Sequence, residues 1–195
     1  MCQSDVVFSR LIGQHCRSIS CLALLAATGC TRFTRPRDTQ SVPISNQDAA
    51  QLQPMVRSQS FTMRSADAAR QLAGGIYGIE NNQWRWTAGN FSLVLATPRG
   101  AATHGANLLL GFYIPDVIIG RTGPMTLTAC LNGAEVGVRT YSTAGAHSFA
   151  ASIAPELLSK SPVAIDFHLD RYVPSGAQDF RQLGVIAETV SLESE

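Results

Sequence analysis

The sequence predicts an all-β domain, an antiparallel β-sandwich of the jelly-roll or immunoglobulin-like type with about eight strands, preceded by a disordered N-terminal segment. Three observations support this prediction. From residue 77 onward, apolar and polar residues alternate with a period near two, which is typical of half-buried strands. Turn residues interrupt the alternation at intervals of roughly ten residues. Few stretches have the apolar spacing of an amphipathic helix.

The N-terminus has the organisation of an export signal. Arg10 and Arg17 are basic, an apolar segment follows over residues 19–27, and small residues precede Cys30. This pattern resembles the lipobox of bacterial lipoproteins, in which the cysteine is acylated and becomes the mature N-terminus. We therefore predict a signal peptide over residues 1–29 with Cys30 as the lipidation site. An ordinary cleaved signal peptide and a poorly chosen start codon are the alternatives.

Residues 30–65 are predicted to be a flexible polar tether, because they lack periodicity and contain recurring prolines. The tether would hold a domain of residues 66–195 at a membrane of the cell envelope, facing the periplasm or the outside. The chain has 15 Lys and Arg against 14 Asp and Glu, so no strong field would recruit nucleic acid. No apolar run reaches the roughly 18 residues that a membrane-spanning helix needs.

The first half of the domain is predicted to hold one helical segment and three strands. Residues 65–72 allow a helical turn or two, which the glycines that follow would stop. A short strand is predicted over residues 83–87 and another over residues 91–95, because both alternate. Residues 107–114 are apolar at nearly every position, which predicts a buried central strand.

The second half begins with a predicted hairpin. Residues 125–131 alternate, and Asn132-Gly133 is the strongest short hairpin signal before a returning strand over residues 136–141. A helical turn is predicted over residues 153–158, with a proline early in it. Further strands are predicted over residues 146–150, 163–169 and 183–192.

The chain shows no catalytic motif, so it is not predicted to be an enzyme, and no cofactor or metal is expected. Asp166, His168 and Asp170 share one face of a strand, which admits a metal site or a hydrolase. The opposite face of that strand is apolar and suits the core, so these three side chains are predicted to point to solvent. Cys130, the single cysteine after residue 30, is expected to be an inert buried or half-buried thiol.

The run Trp84-Arg85-Trp86 has the chemistry of a binding site. On a strand, both tryptophans share one face and Arg85 lies on the other. Aromatic rings stack on the apolar faces of sugars, and arginine donates a bidentate fork to acidic groups. Tryptophans in a small β-sandwich also fill the core, and this alternative stays open.

A second set of candidate residues lies near the last strand. Asp179 and Arg181 share a face, and they are candidates either for ligand contact or for ion pairs with Glu80 or Arg85. The candidate ligand-binding residues are therefore Trp84, Arg85, Trp86, Glu80, Asp179 and Arg181.

Several short motifs, taken in order, resemble an uncharacterised bacterial β-sandwich domain. They are residues 75–80 (GIYGIE), 84–87 (WRWT), 131–133 (LNG), 166–170 (DFHLD) and 179–184 (DFRQLG). Domains of this family occur alone or beside glycosyltransferases and polysaccharide-related proteins. The resemblance covers residues 74–193. It implies a non-catalytic accessory domain that contacts glycans at the cell surface.

The predicted function is that of a non-catalytic cell-envelope lipoprotein whose β-sandwich domain contacts carbohydrate. Its expected partners are a polysaccharide or an envelope protein, and the membrane through the lipid anchor. A structural or protein-interaction lipoprotein without a glycan ligand is the first alternative. A small hydrolase is the second.

Overall fold

The computed structural model describes residues 57–195, which form two antiparallel sheets packed face to face. This confirms the prediction of an antiparallel β-sandwich. The predicted signal peptide, its lipidation site at Cys30 and the predicted tether up to residue 56 lie outside the described residues.

Nine strands are present in residues 57–195. In chain order they are β1 (Ser60–Thr62), β2 (Leu72–Ile76), β3 (Arg85–Leu95), β4 (Ala106–Ile114), β5 (Met125–Leu131), β6 (Ala134–Tyr141), β7 (Gly145–Ile153), β8 (Val163–Leu169) and β9 (Ile186–Ser194). The helical elements are short. They are α1 (Ala101–His104), α2 (Asp116–Thr122) and two 3₁₀ segments, Ala66–Arg70 and Pro155–Leu158.

The strand order is that of a jelly roll. One sheet has the order β1-β9-β4-β7, and the other has the order β2-β3-β8-β5-β6. Strand β3 belongs to both, because Arg85 and Trp86 pair with β9 whereas residues 90–95 pair with β8. Each sheet thus interleaves early and late strands of the chain, as in the two Greek keys of a jelly roll.

Aromatic side chains from both sheets fill the space between them. Phe91 of β3 stacks on Phe167 of β8 with ring centroids 4.9 Å apart. Phe149 of the opposite sheet meets Phe167 edge-on at 6.2 Å. Strand β8 has a strictly alternating burial pattern, with Val163, Ile165, Phe167 and Leu169 buried. The core therefore follows the period-two pattern of the sequence.

Most predicted elements are present, with some changes of boundary. The hairpin turn at Asn132 and Gly133 has φ angles of 50° and 86°, the left-handed values that such a turn requires. The two predicted strands of residues 83–87 and 91–95 are one continuous strand, β3. Helices α1 and α2 were not predicted, because both are too short to show a helical period.

The sandwich begins before the predicted boundary at residue 66. Strand β1 pairs with β9, and the Gln59 carbonyl accepts a hydrogen bond from the Leu192 amide at 2.9 Å. Met63 is fully buried in the core. Residues 58–63 are thus part of the fold, because their backbone groups complete the edge of a sheet although their sequence shows no strand pattern.

Cys130 is buried, which is one of the two environments expected for this residue. No helix within residues 57–195 has the length and apolar character needed to cross a membrane.

Truncation of the central aromatic residue tests the packing of the two sheets. Phe167→Ala is expected to lower the free energy of unfolding by about 3–5 kcal/mol, because the ring is 1% exposed and contacts both layers. Urea denaturation of the full chain measures this loss. Val138→Ala is the matched control: this apolar side chain is 53% exposed, so its loss should stay within about 0.5 kcal/mol. Equal losses in the two variants would contradict the packing described.

Candidate functional site

An open cleft of about 490 Å³ lies beside the start of β3, where β4 and β9 run next to each other. Its walls combine two aromatic rings, one aliphatic side chain and three polar side chains. These residues are Arg64, Gln83, Trp84, Tyr113, Ile186 and Glu188. The volume lies within the range of roughly 300–1,000 Å³ that is usual for small-ligand sites.

A tight turn before β3 carries Gln83 and Trp84 into the cleft. Glu80 and Trp84 form an antiparallel bridge, and the Glu80 amide donates to the Trp84 carbonyl at 2.9 Å. Between them, Asn81 and Asn82 have φ angles of 50° and 56°. Asparagine is among the residues that tolerate this left-handed backbone best, so the sequence supports the turn locally.

The pairing register of β9 with β3 and β4 positions the residues of the other wall of the cleft. Tyr113 of β4 lies opposite Ile186 of β9, and Ile186 lies opposite Trp86 of β3. Tyr113 alternates with the buried Phe112, so it points away from the core and is 37% exposed. The aromatic ring of Tyr113 is thus available at the surface of the sheet.

A bulge in β9 positions Glu188. Gly111 pairs with Thr189 and Phe112 pairs with Ala187, which leaves Glu188 as the extra residue. Bulges of this kind redirect a side chain. The Glu188 carbonyl accepts a hydrogen bond from the Met63 amide at 2.7 Å, so the chain leaving β1 brings Arg64 to the same place.

The polar side chains of the cleft are not engaged with the rest of the domain. Arg64, Gln83, Tyr113 and Glu188 make no side-chain hydrogen bond or ion pair with any of residues 57–195. The indole Nε1 of Trp84 is buried and also lacks a partner within this range. Buried polar groups in native proteins are usually paired, so the unpaired Trp84 Nε1 is an exception to that rule.

Arg85 has a different role. It is 8% exposed, its Nε donates to the Met63 carbonyl at 2.8 Å, and its Nη1 donates to the Tyr77 carbonyl at 3.1 Å. The fork that the sequence suggested for an acidic ligand is therefore occupied by backbone carbonyls. Arg85 positions the cleft instead, because Met63 precedes Arg64 and Tyr77 lies at the base of the turn at residues 80–84.

The two tryptophans share a face but differ in surroundings. Both are half-buried. Trp86 packs against the core, whereas Trp84 lines the cleft. The core alternative is therefore correct for Trp86, and ligand contact stays a prediction for Trp84.

The candidates Glu80, Asp179 and Arg181 form an ion-pair cluster. Arg181 donates hydrogen bonds to the Glu80 carboxylate at 2.5 Å and to the Asp179 carboxylate at 2.9 Å. Its guanidinium carbon also lies over the Tyr77 ring, 5.2 Å from the ring centroid. Hydrogen bonds from Arg181 lower the pKa of Asp179 to about 2, and the two carboxylates raise the pKa of Arg181. The cluster fixes Glu80, and through it the turn that presents Trp84.

The surface of β8 carries the three polar residues that suggested a metal site or a hydrolase. Asp166, His168 and Asp170 are exposed, as predicted. His168 Nδ1 bonds to the side-chain oxygen of Asn90, and the Asp170 carboxylate accepts from the Thr126 amide at 2.6 Å. Partial burial raises the pKa of Asp166. Within residues 57–195, no group of three or more His, Cys, Asp or Glu side chains could hold a metal ion.

Sequence reasoning identified one residue that lines the cleft, Trp84, and missed the other five. Arg64 fell in the predicted tether, and Glu188 depends on a bulge that has no sequence signal. Tyr113 had one usable signal: its ring has a polar tip in a mostly apolar strand, and it alternates with Phe112.

No protein-family profile matches the sequence, and no curated protein matches it. Among solved structures, the chain is similar to an acetyl xylan esterase, Est2A, from the rumen bacterium Butyrivibrio proteoclasticus, with 12% identity and a TM-score of 0.41. That match covers 72% of this chain and 33% of the esterase, so the chain spans about a third of its length.

Two isolated modules are also similar. One is TmCBM27, a carbohydrate-binding module described by its specific mannan recognition, with 12% identity, a TM-score of 0.41 and coverage of 72% of this chain and 98% of that chain. The other is the carbohydrate-binding module CBM36, solved with calcium and xylotriose, with 10% identity, a TM-score of 0.39 and coverage of 69% and 98%.

The ion-pair cluster predicts a pH-dependent stability. The folded pKa of Asp179 is about 2, below its ordinary value of 3.8, so the unfolded chain binds the proton more readily between these values. The stabilisation from Asp179 is therefore fully present above about pH 4 and is lost as the pH falls through 2. Wild type should be more stable than Asp179→Asn above pH 4, and the difference should vanish towards pH 2.

Urea denaturation at a series of pH values measures this difference. In an Arg181→Gln background the same comparison should show little pH dependence, because the hydrogen bonds that lower the pKa are gone. A stability difference that stays constant from pH 2 to 6 would contradict the role of the cluster.

Proposed function

We propose that this β-sandwich domain binds carbohydrate in the cleft lined by Trp84 and Tyr113. The single observation that carries the proposal is an open cleft that combines two aromatic rings with polar side chains that have no partner among residues 57–195. Sugar rings have apolar faces that stack on aromatic side chains and hydroxyl groups that bond at the rim. The cleft offers both kinds of contact within about 490 Å³.

The backbone on both sides of the cleft is held in place, so a ligand could bind without a large rearrangement of the chain. Arg85 fixes the chain on one side through the Met63 carbonyl, and Arg181 fixes the turn on the other side through Glu80. A site whose walls are held in place loses little conformational entropy when it binds a ligand. The proposed activity is recognition without catalysis.

Removal of the indole ring tests the proposal. Trp84→Ala should weaken glycan binding by roughly tenfold or more, because the ring supplies stacking area in the cleft. Binding to a panel of soluble polysaccharides is measured by affinity electrophoresis and then by calorimetry. Trp86→Phe is the control: it should lower stability, because Trp86 packs on the core, and leave affinity unchanged. The proposal fails if no glycan in a broad panel binds to the wild type.

We also propose that the domain is anchored to a membrane of the cell envelope through acylated Cys30. The support is the sequence pattern of a basic start, an apolar segment and small residues before the cysteine. Several acyl chains on one residue bind a membrane firmly, whereas a single chain gives only marginal binding. An anchored glycan-binding domain would be held where envelope polysaccharides occur.

Replacement of the acylated residue tests the anchor. Cys30→Ser should move the protein from the membrane fraction to the soluble fraction of the expressing bacterium, because serine cannot form the thioether of a lipoprotein. Labelling with an alkyne fatty acid provides a second readout, and the label should be absent from the variant. Cys21→Ser is the matched control and should stay in the membrane fraction. Unchanged fractionation and labelling of Cys30→Ser would exclude the anchor.

A further inference from the structure

We propose that Arg64 and Glu188 together bind two adjacent hydroxyl groups of one uncharged sugar ring, which makes neutral glycans the ligand class of the cleft. The inference rests on the proposed function, because it concerns the same cleft. It adds the chemical identity of the recognised group.

The two charged residues are brought together by backbone pairing. The Met63 amide donates to the Glu188 carbonyl at 2.7 Å, and Arg64 follows Met63 directly. Both side chains are exposed, and both line the cleft. Within residues 57–195, neither Arg64 nor Glu188 makes an ion pair. Their charged groups are therefore more than 4.0 Å apart, although their charges are opposite.

The chemistry of these two groups is complementary to a pair of hydroxyls. A guanidinium only donates hydrogen bonds and an ionised carboxylate only accepts them, whereas a hydroxyl does both. One hydroxyl of a sugar can therefore donate to Glu188 while its neighbour on the ring accepts from Arg64. Hydrogen bonds to charged groups are stronger than those between neutral groups, so this pair would dominate orientation.

Charge balance gives ionised sugars no net electrostatic advantage. The cleft contains one cationic side chain, Arg64, and one anionic side chain, Glu188, so their formal charges cancel. A uronic acid carboxylate would be attracted by Arg64 but repelled by Glu188, and the ammonium group of an amino sugar would meet the reverse. A neutral ring meets neither repulsion, and Trp84 and Tyr113 can contact its apolar face.

The first experiment compares neutral and charged glycans with the full chain. The neutral probes are mannan, galactan, xylan and mixed-linkage glucan, and the charged probes are polygalacturonate and chitosan. We expect binding to at least one neutral glycan, with an affinity that changes less than about twofold between about 50 and 500 mM NaCl. Periodate cleaves adjacent hydroxyl pairs, so the oxidised form of the bound glycan should bind at least about tenfold more weakly.

The second experiment removes each charged group. Glu188→Gln and Arg64→Gln should each weaken binding of the neutral glycan by about tenfold. Both residues are exposed, so neither change should affect folding. Glu135→Gln and Arg139→Gln, exposed on β6, are the matched controls and should keep wild-type affinity.

The outcomes separate the inference from the function on which it rests. Salt-sensitive binding to polygalacturonate or chitosan alone would overturn the inference and leave carbohydrate binding intact. So would wild-type affinity in Glu188→Gln or Arg64→Gln, or in the periodate-treated glycan. Binding to none of the probes would overturn both.

Discussion

Strand β3 is the constraint on which the rest of the structure depends. Its first residues pair with β9 in one sheet, and its last residues pair with β8 in the other. The cleft lies where β3 begins, so the position of Trp84 is set by the joint between the two layers. Charged groups near this joint divide into two kinds. Arg85 and Arg181 have partners and hold the frame, whereas Arg64 and Glu188 face the cleft without partners among the described residues.

The fold was predictable wherever one face of a strand is buried. In β8, four apolar residues alternate with exposed ones, and the observed strand has the predicted bounds of residues 163–169. The turn at Asn132 and Gly133 was predictable because its backbone angles demand those residue types. Strand β1 was not predictable, because its three residues are held by backbone hydrogen bonds to β9 and are too few to show an alternating side-chain pattern.

The site was predictable only in part, because the burial of a side chain on one face of a strand depends on which other elements pack over that face. The period of two placed Trp84 and Trp86 together, but it could not show that one packs on the core and the other lines the cleft. Arg85 lies between two aromatic residues, and its sequence neighbourhood suggested an exposed group. Its partner, the Met63 carbonyl, is 22 residues away along the chain, and such long-range contacts cannot be inferred from local spacing.

The position of β9 has a consequence for biosynthesis. This last strand lies inside its sheet, with β4 on one side and both β1 and the start of β3 on the other. The sheet cannot close until residues 186–194 have left the ribosome. Until then β1 and β4 present open hydrogen-bonding edges, which invite pairing with other chains. A chain that stops before residue 186 would keep these edges open, so it would be exposed to aggregation and proteolysis.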